Sequence, residues 1–161
     1  MILNYYGIDG FSEKQIADIM QIKEPLDNRK GIYGTSTERL VSFFTGLDFY
    51  VESSLNRKEP RSFDSSYDFR DWVIRNLKNG IPIMAEWIDW GGHWQIIVGY
   101  DTMGTESIED DVIIFADPYD TSDHCRDGYY VFGAERFFFM WFDAKYFNDN
   151  EAVQQWLTVS K

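Results

Sequence analysis

Gly91-Gly92-His93-Trp94-Gln95-Ile96-Ile97-Val98-Gly99-Tyr100-Asp101 is the stretch whose reading decides the fold. Two glycines lead into a histidine, and the residues from Gln95 to Val98 favour a β-strand that a glycine then ends. The pattern predicts a loop delivering one imidazole to the mouth of a buried strand. A second apolar run, Val112-Ile113-Ile114-Phe115-Ala116, ends in Asp117-Pro118. Consecutive strands usually lie side by side. If these two pair, His93 and Asp117 meet at one edge of a sheet, and a histidine oriented by a carboxylate is two-thirds of a nucleophilic triad.

Each residue also has a plainer reading. A histidine at a strand start is often a satisfied core or surface residue, and Asp-Pro is an ordinary turn start. The local setting favours function. Paired glycines allow close backbone approach at Gly92, and Trp90 and Trp94 are placed to wall a partly dry pocket, which tunes an imidazole near neutrality. The loop from Asp117 to Cys125 invites a metal reading, but Asp117, Asp120 and Asp123 fall at every third position instead of the calcium-loop spacing of every second. Asp123, His124 and Cys125 are consecutive and cannot readily converge on one ion. No metal and no cofactor is expected. Cys125 lies in a polar loop with no helix start to lower its pKa, which reads as an ordinary reduced thiol.

Working outward, helices precede the stretch and strands follow it. Met1 to Gly7 reads as the last turns of a helix with Gly7 as its left-handed cap. A chain seldom opens there, so the expectation is that an upstream segment is absent from this sequence. Ser12 and Gln15 form a capping box with Phe11 and Ile16 as a staple, and Thr35 with Glu38 forms a second box. Leu40, Phe43, Phe44 and Leu47 follow at helical spacing, and Leu26 to Gly34 reads as a loop. Tyr67 to Asn79 is a third helical pattern, burying Phe69, Trp72, Val73 and Leu77. Strands are predicted at Phe49–Val51, Ile81–Trp87 and Tyr129–Phe132, with Trp156–Val159 as an edge strand. Ala134 to Trp141 reads as a short helix or turn packed by Phe137, Phe138 and Trp141. The order is that of an α+β domain spanning 1–161, with about five antiparallel strands.

The chain of 161 residues has 27 acidic against 15 basic side chains, a formal charge of −12. Such a field repels phosphate backbones and excludes nucleic acid as a partner, while favouring cationic peptides. No apolar run reaches the ~20 residues of a membrane span, and Met1 to Gly7 lacks the features of a secretory signal. The expected compartment is cytoplasmic as the chain stands, or exported if a signal segment was removed upstream. One cysteine rules out an internal disulfide.

Gly80-Ile81-Pro82-Ile83, Gly92-His93-Trp94 through Gly99-Tyr100-Asp101, and Phe115-Ala116-Asp117-Pro118 together resemble the papain-like double-glycine peptidases, the bacteriocin-processing enzymes of bacteria and their stand-alone relatives. Met1 to Gly7, Ser12 to Ile22 and Gly34-Thr35-Ser36 resemble the same family. The resemblance implies a papain-like fold and a cysteine peptidase acting on peptides or proteins, with His93 as general base and Asp117 as its orienting partner. It also implies a nucleophilic cysteine opening the first helix and an upstream glutamine for the oxyanion. Neither has a counterpart here, since both would precede Met1. Two expectations therefore stand side by side. One is a peptidase-type domain inactive as given. The other is a non-catalytic peptide-binding module using the same cleft, with Trp87, Trp90 and Trp94 as its contact residues.

Overall fold

A computed structural model describes residues 1–22, 34–119, 124–143 and 152–161. The predicted loop at 26–34 lies outside the described residues except for Gly34, as do Asp120 and Asp123. The elements run α1 (Ile2–Tyr5), α2 (Glu13–Ile19), α3 (Thr37–Thr45), β1 (Tyr50–Ser53), α4 (Ser66–Lys78), β2 (Ile83–Trp87), β3 (His93–Asp101), β4 (Val112–Ala116), β5 (Tyr129–Gly133), α5 (Ala134–Met140) and β6 (Gln155–Ser160). The architecture is α+β.

The helix starts follow local chemistry. Ser12 caps α2 as anticipated: its hydroxyl accepts from the Gln15 amide, and the Gln15 side chain accepts from the Ser12 amide at 2.8 Å. The second box is shifted by one residue. Ser36, not Thr35, caps α3 and accepts from the Arg39 amide. The neighbouring residues have other partners: the Thr35 carbonyl accepts from Trp94 Nε1 at 3.0 Å, and Thr37 Oγ1 donates to Gln155 Oε1 at 2.6 Å.

Six strands form one antiparallel sheet in the order β1-β6-β2-β3-β4-β5. The C-terminal strand is interior, not an edge. Leu157 and Val159 are buried on one face, and Thr158 on the other. A strand buried on both faces needs cover above and below, and here it also has a neighbour on each side. On one face, α4 and α5 bury Phe69, Val73 and Phe137 against Ile83, Ile97 and Phe115. On the other, α1 and α3 bury Leu3, Phe43 and Phe44 against Met84, Ile96 and Leu157. The expected end of β3 at Gly99 is overturned, because the strand runs on to Asp101. A bulge between Ile97 and Gly99 re-registers β3 on β4, so Gly99 pairs with Ile114. The glycine is needed there for close approach. A Cβ on it would lie 2.8 Å from Ile114 Cδ1 and 3.1 Å from Ile114 Cβ.

Glu86 of β2 is 3% exposed and hydrogen-bonded to the buried Asp143. Its pKa is pushed up to about 9, first by burial and then by the hydrogen bond and negative charge of Asp143. The side chain is therefore protonated at neutral pH.

Two outcomes follow from this packing. Gly99→Ala should destabilise the protein by about 1–3 kcal/mol, measured as a lower denaturant midpoint at unchanged slope. Because Glu86 titrates higher folded than unfolded, its contribution is complete below 4.5 and is lost as pH rises to about 9. Glu86→Gln should flatten that decline, read from urea midpoints taken between about pH 5 and pH 9.

Candidate active site

The hairpin between β2 and β3 closes through a 3₁₀ turn, Asp89–Gly91, followed by Gly92. Gly91 and Gly92 hold φ of 84° and 112°, a region that L side chains rarely adopt. Their amides donate to the Ile88 and Asp89 carbonyls at 2.8 and 3.0 Å. The tight reversal makes His93 the first residue of β3, directly across from Trp87. Asp117 follows the last residue of β4, its amide held by the Gly128 carbonyl at 2.9 Å. Since Ile97 pairs with Phe115 and Ile96 with Ala116, the same register carries Asp117 alongside Gln95. Period-2 alternation then puts His93, Gln95 and Asp117 on one face.

His93 Nε2 lies 2.7 Å from Asp117 Oδ1, with the imidazole side chain 11% exposed and the carboxylate 0%. Burial by itself pushes the Asp117 carboxyl up. Hydrogen bonds from His93, the Tyr119 amide and Gln95 more than offset this and hold it below the usual carboxylate range. An ionised carboxylate can only accept, so Nε2 carries the hydrogen. Among the described residues Nδ1 has no hydrogen-bond partner. The arrangement can therefore orient an imidazole, stabilise its charged form and offer Nδ1 as a base.

Several residues at this site were not anticipated. Gln95 Nε2 donates to Asp117 Oδ2 at 2.8 Å and to Asp89 Oδ2 at 3.1 Å. Its Oε1 accepts from Trp87 Nε1 at 2.5 Å and from the Tyr130 hydroxyl at 2.8 Å. Tyr119 stacks on the His93 ring at 4.7 Å between centroids, inclined by 22°. The signal for Gln95 was present in the sequence: two positions beyond His93 on a strand, it shares the histidine's face. Tyr119 follows Asp117 by two residues in a turn, and Tyr130 comes from β5 on the far side of β4 and carries no such signal.

The tryptophans divide. Trp94 alternates to the opposite face, donates to the Thr35 carbonyl and does not join His93. It helps to line a cavity of about 770 Å³ on the α1–α3 side, together with Ile2, Phe11, Phe43, Ile96 and Pro118. Trp87 is 3% exposed and packed in the core, so the expectation that it contacts a peptide is corrected. Its bulk is taken up by Phe115, Phe132 and Phe137. Trp90 belongs to the Asp89–Gly91 turn, and its side chain lies outside the described set. Gly92 sits immediately ahead of His93. Cys125 is exposed, in the connection from β4 to β5. Among the described residues no three His, Cys, Asp or Glu side chains are grouped to hold a metal. Nor is any described helix long and apolar enough to cross a membrane.

Comparison with protein families matches residues 1–142 to the model of the Peptidase_C39 like family. Neither curated proteins nor solved structures give a match. The helices and six-stranded antiparallel sheet are compatible with a papain-like peptidase fold.

Asp117→Asn should cost about 1–3 kcal/mol, because a buried charge-assisted pair is lost and an amide is set against the Gln95 donor. The folded Asp117 titrates below 3.8, so its contribution is present above that pH and lost as pH falls through the folded value. The variant should lack this acid-side loss in denaturation curves followed down to about pH 2.

Proposed function

The chain belongs to the Peptidase_C39 like family, and from that premise we propose that His93 and Asp117 are the acid–base half of a cysteine-peptidase-type site acting on peptides. The observation that carries this reading is the 2.7 Å His93–Asp117 pair with Nδ1 left free among the described residues. A thiol brought to Nδ1 gives up its proton to the imidazole, and the sulfur adds to the peptide carbonyl carbon. The C–N bond then breaks as the imidazolium returns the proton to the leaving nitrogen. Water, deprotonated by the same Nδ1, hydrolyses the thioester and regenerates the thiol. Asp117 remains ionised throughout. It fixes the ring and stabilises the imidazolium.

The sequence's single cysteine is exposed Cys125, and this reading gives it no part in the reaction. On that basis the 161-residue chain does not turn over peptide bonds. A second reading, a peptide-binding module without turnover, is favoured by one observation: the 770 Å³ cavity, of mixed polar and apolar lining, reaches Gln95 and Pro118, the neighbours of the His93–Asp117 pair.

The test has two arms. The 161-residue chain should leave fluorogenic peptides uncleaved, and cleavage that Cys125→Ala abolishes would overturn this. Expressed with any codons that precede Met1 in its gene, the protein should be labelled by a thiol-directed peptide inhibitor. Labelling should fall about 100-fold or more in His93→Ala. Unchanged labelling in that variant removes His93 from the role of base. No labelling at all, with retained peptide binding, favours the second reading.

A further inference from the structure

Gln95 is a polar side chain with 0% exposure in a core rich in aromatic rings. A buried amide is costly unless all its hydrogen-bonding capacity is met. Here it is met. The two hydrogens on Nε2 go to Asp117 and Asp89, and the two lone pairs on Oε1 receive Trp87 and Tyr130. These partners also fix which way the amide points. A flipped amide would set Nε2 against the Trp87 N–H, an obligate donor, and Oε1 against two carboxylate oxygens, losing at least three of the four hydrogen bonds. Trp87 and Tyr130 are in turn held by stacking on Phe115, at 6.3 and 5.2 Å. The rigidity of the aromatic core therefore passes through one amide to the second oxygen of Asp117, the oxygen that His93 does not use.

From this geometry we infer that Gln95 is a positioning residue, held by Trp87 and Tyr130, whose amide aims the Asp117 carboxylate at His93 Nε2 and thereby leaves Nδ1 directed to chemistry. The inference rests on the reading of His93 and Asp117 as an acid–base pair. Two of the three donors on Asp117, the Tyr119 amide and His93, share Oδ1. Gln95 alone anchors Oδ2 among the described residues, so without it the carboxylate is free to rotate about its own axis.

The test is nuclear magnetic resonance on the intact chain, whose two histidines give a simple imidazole spectrum. Two signals are followed: the carboxyl carbon of Asp117 through acid, and the Nε2 proton of His93. In Gln95→Met the Asp117 midpoint should move upward by about one pH unit, and exchange of the His93 proton with water should quicken at least about tenfold. If the methionine variant does not fold, the same two signals are read for Gln95→Leu in a stabilising osmolyte, which removes the donors without adding a charge. Tyr130→Phe removes one core-side hydrogen bond but leaves both Nε2 donors. Both signals should move the same way as in Gln95→Met but by less, because Trp87 alone then holds Oε1, and wild-type behaviour of both there overturns the hold by Tyr130. Wild-type behaviour of both signals in the Gln95 variants overturns the inference. If instead Asp117→Asn leaves the His93 proton unaltered, the pairing of His93 with Asp117 itself falls.

Discussion

Antiparallel strands repeat every two residues, so a pairing slip of one residue would send a whole side-chain row to the opposite face. The β3–β4 register is therefore the constraint on which this site depends. With Ile97 against Phe115, the row His93, Gln95, Ile97 on β3 faces the same way as Phe115 and Asp117 on β4. A slip would leave Asp117 among the α1–α3 side chains and His93 without a partner. The apolar members of the row fix the register, because Ile97 and Phe115 are fully buried under α4 and α5. Hydrophobic burial of about 25 cal/mol per Å² thus places a polar pair that could not place itself.

The polar pair is tolerated because its neighbours satisfy it. Asp117 accepts from His93, Tyr119 and Gln95, and the amide that supports it has each of its own hydrogens and lone pairs engaged. A half-satisfied network in a low-dielectric core would be worse than apolar packing. Glu86 illustrates the other solution to the same problem. On the opposite face and beside a second buried carboxyl, it meets burial by keeping its proton. Two buried acids of one sheet thus differ in charge at neutral pH because one receives three donors and the other faces a carboxyl group.

The carboxylate takes Nε2 of His93, whereas in a serine-type triad it takes Nδ1. The two ring nitrogens exchange roles, and the basic lone pair is presented from the side of the ring nearer the backbone. The stacked Tyr119 covers one ring face, which blocks approach from that side. Membership of the Peptidase_C39 like family is consistent with the proposal that this imidazole serves a thiol.

Much of the scaffold was legible in the sequence. Capping residues at Ser12, helical spacing in Phe43 and Phe44, the glycine pair before His93 and the Asp-Pro after Ala116 each act within a few residues, so local chemistry sets them. The motif residues His93 and Asp117 were visible for the same reason. Long-range pairing decided the rest. The terminal strand became interior because β1 returns to its far side, Ser36 took the cap from Thr35, and β3 continued past Gly99 because Ile114 fits only over a residue without a Cβ. Alternation sent Trp87 to the core and Trp94 to the face opposite His93, where it lines the cavity, although in the sequence both read as neighbours of His93 in one cleft. Gln95 could be assigned to the histidine's face from the sequence. Its four partners come from the β2–β3 hairpin, from the end of β4 and from β5, and only the folded sheet brings them within hydrogen-bond reach.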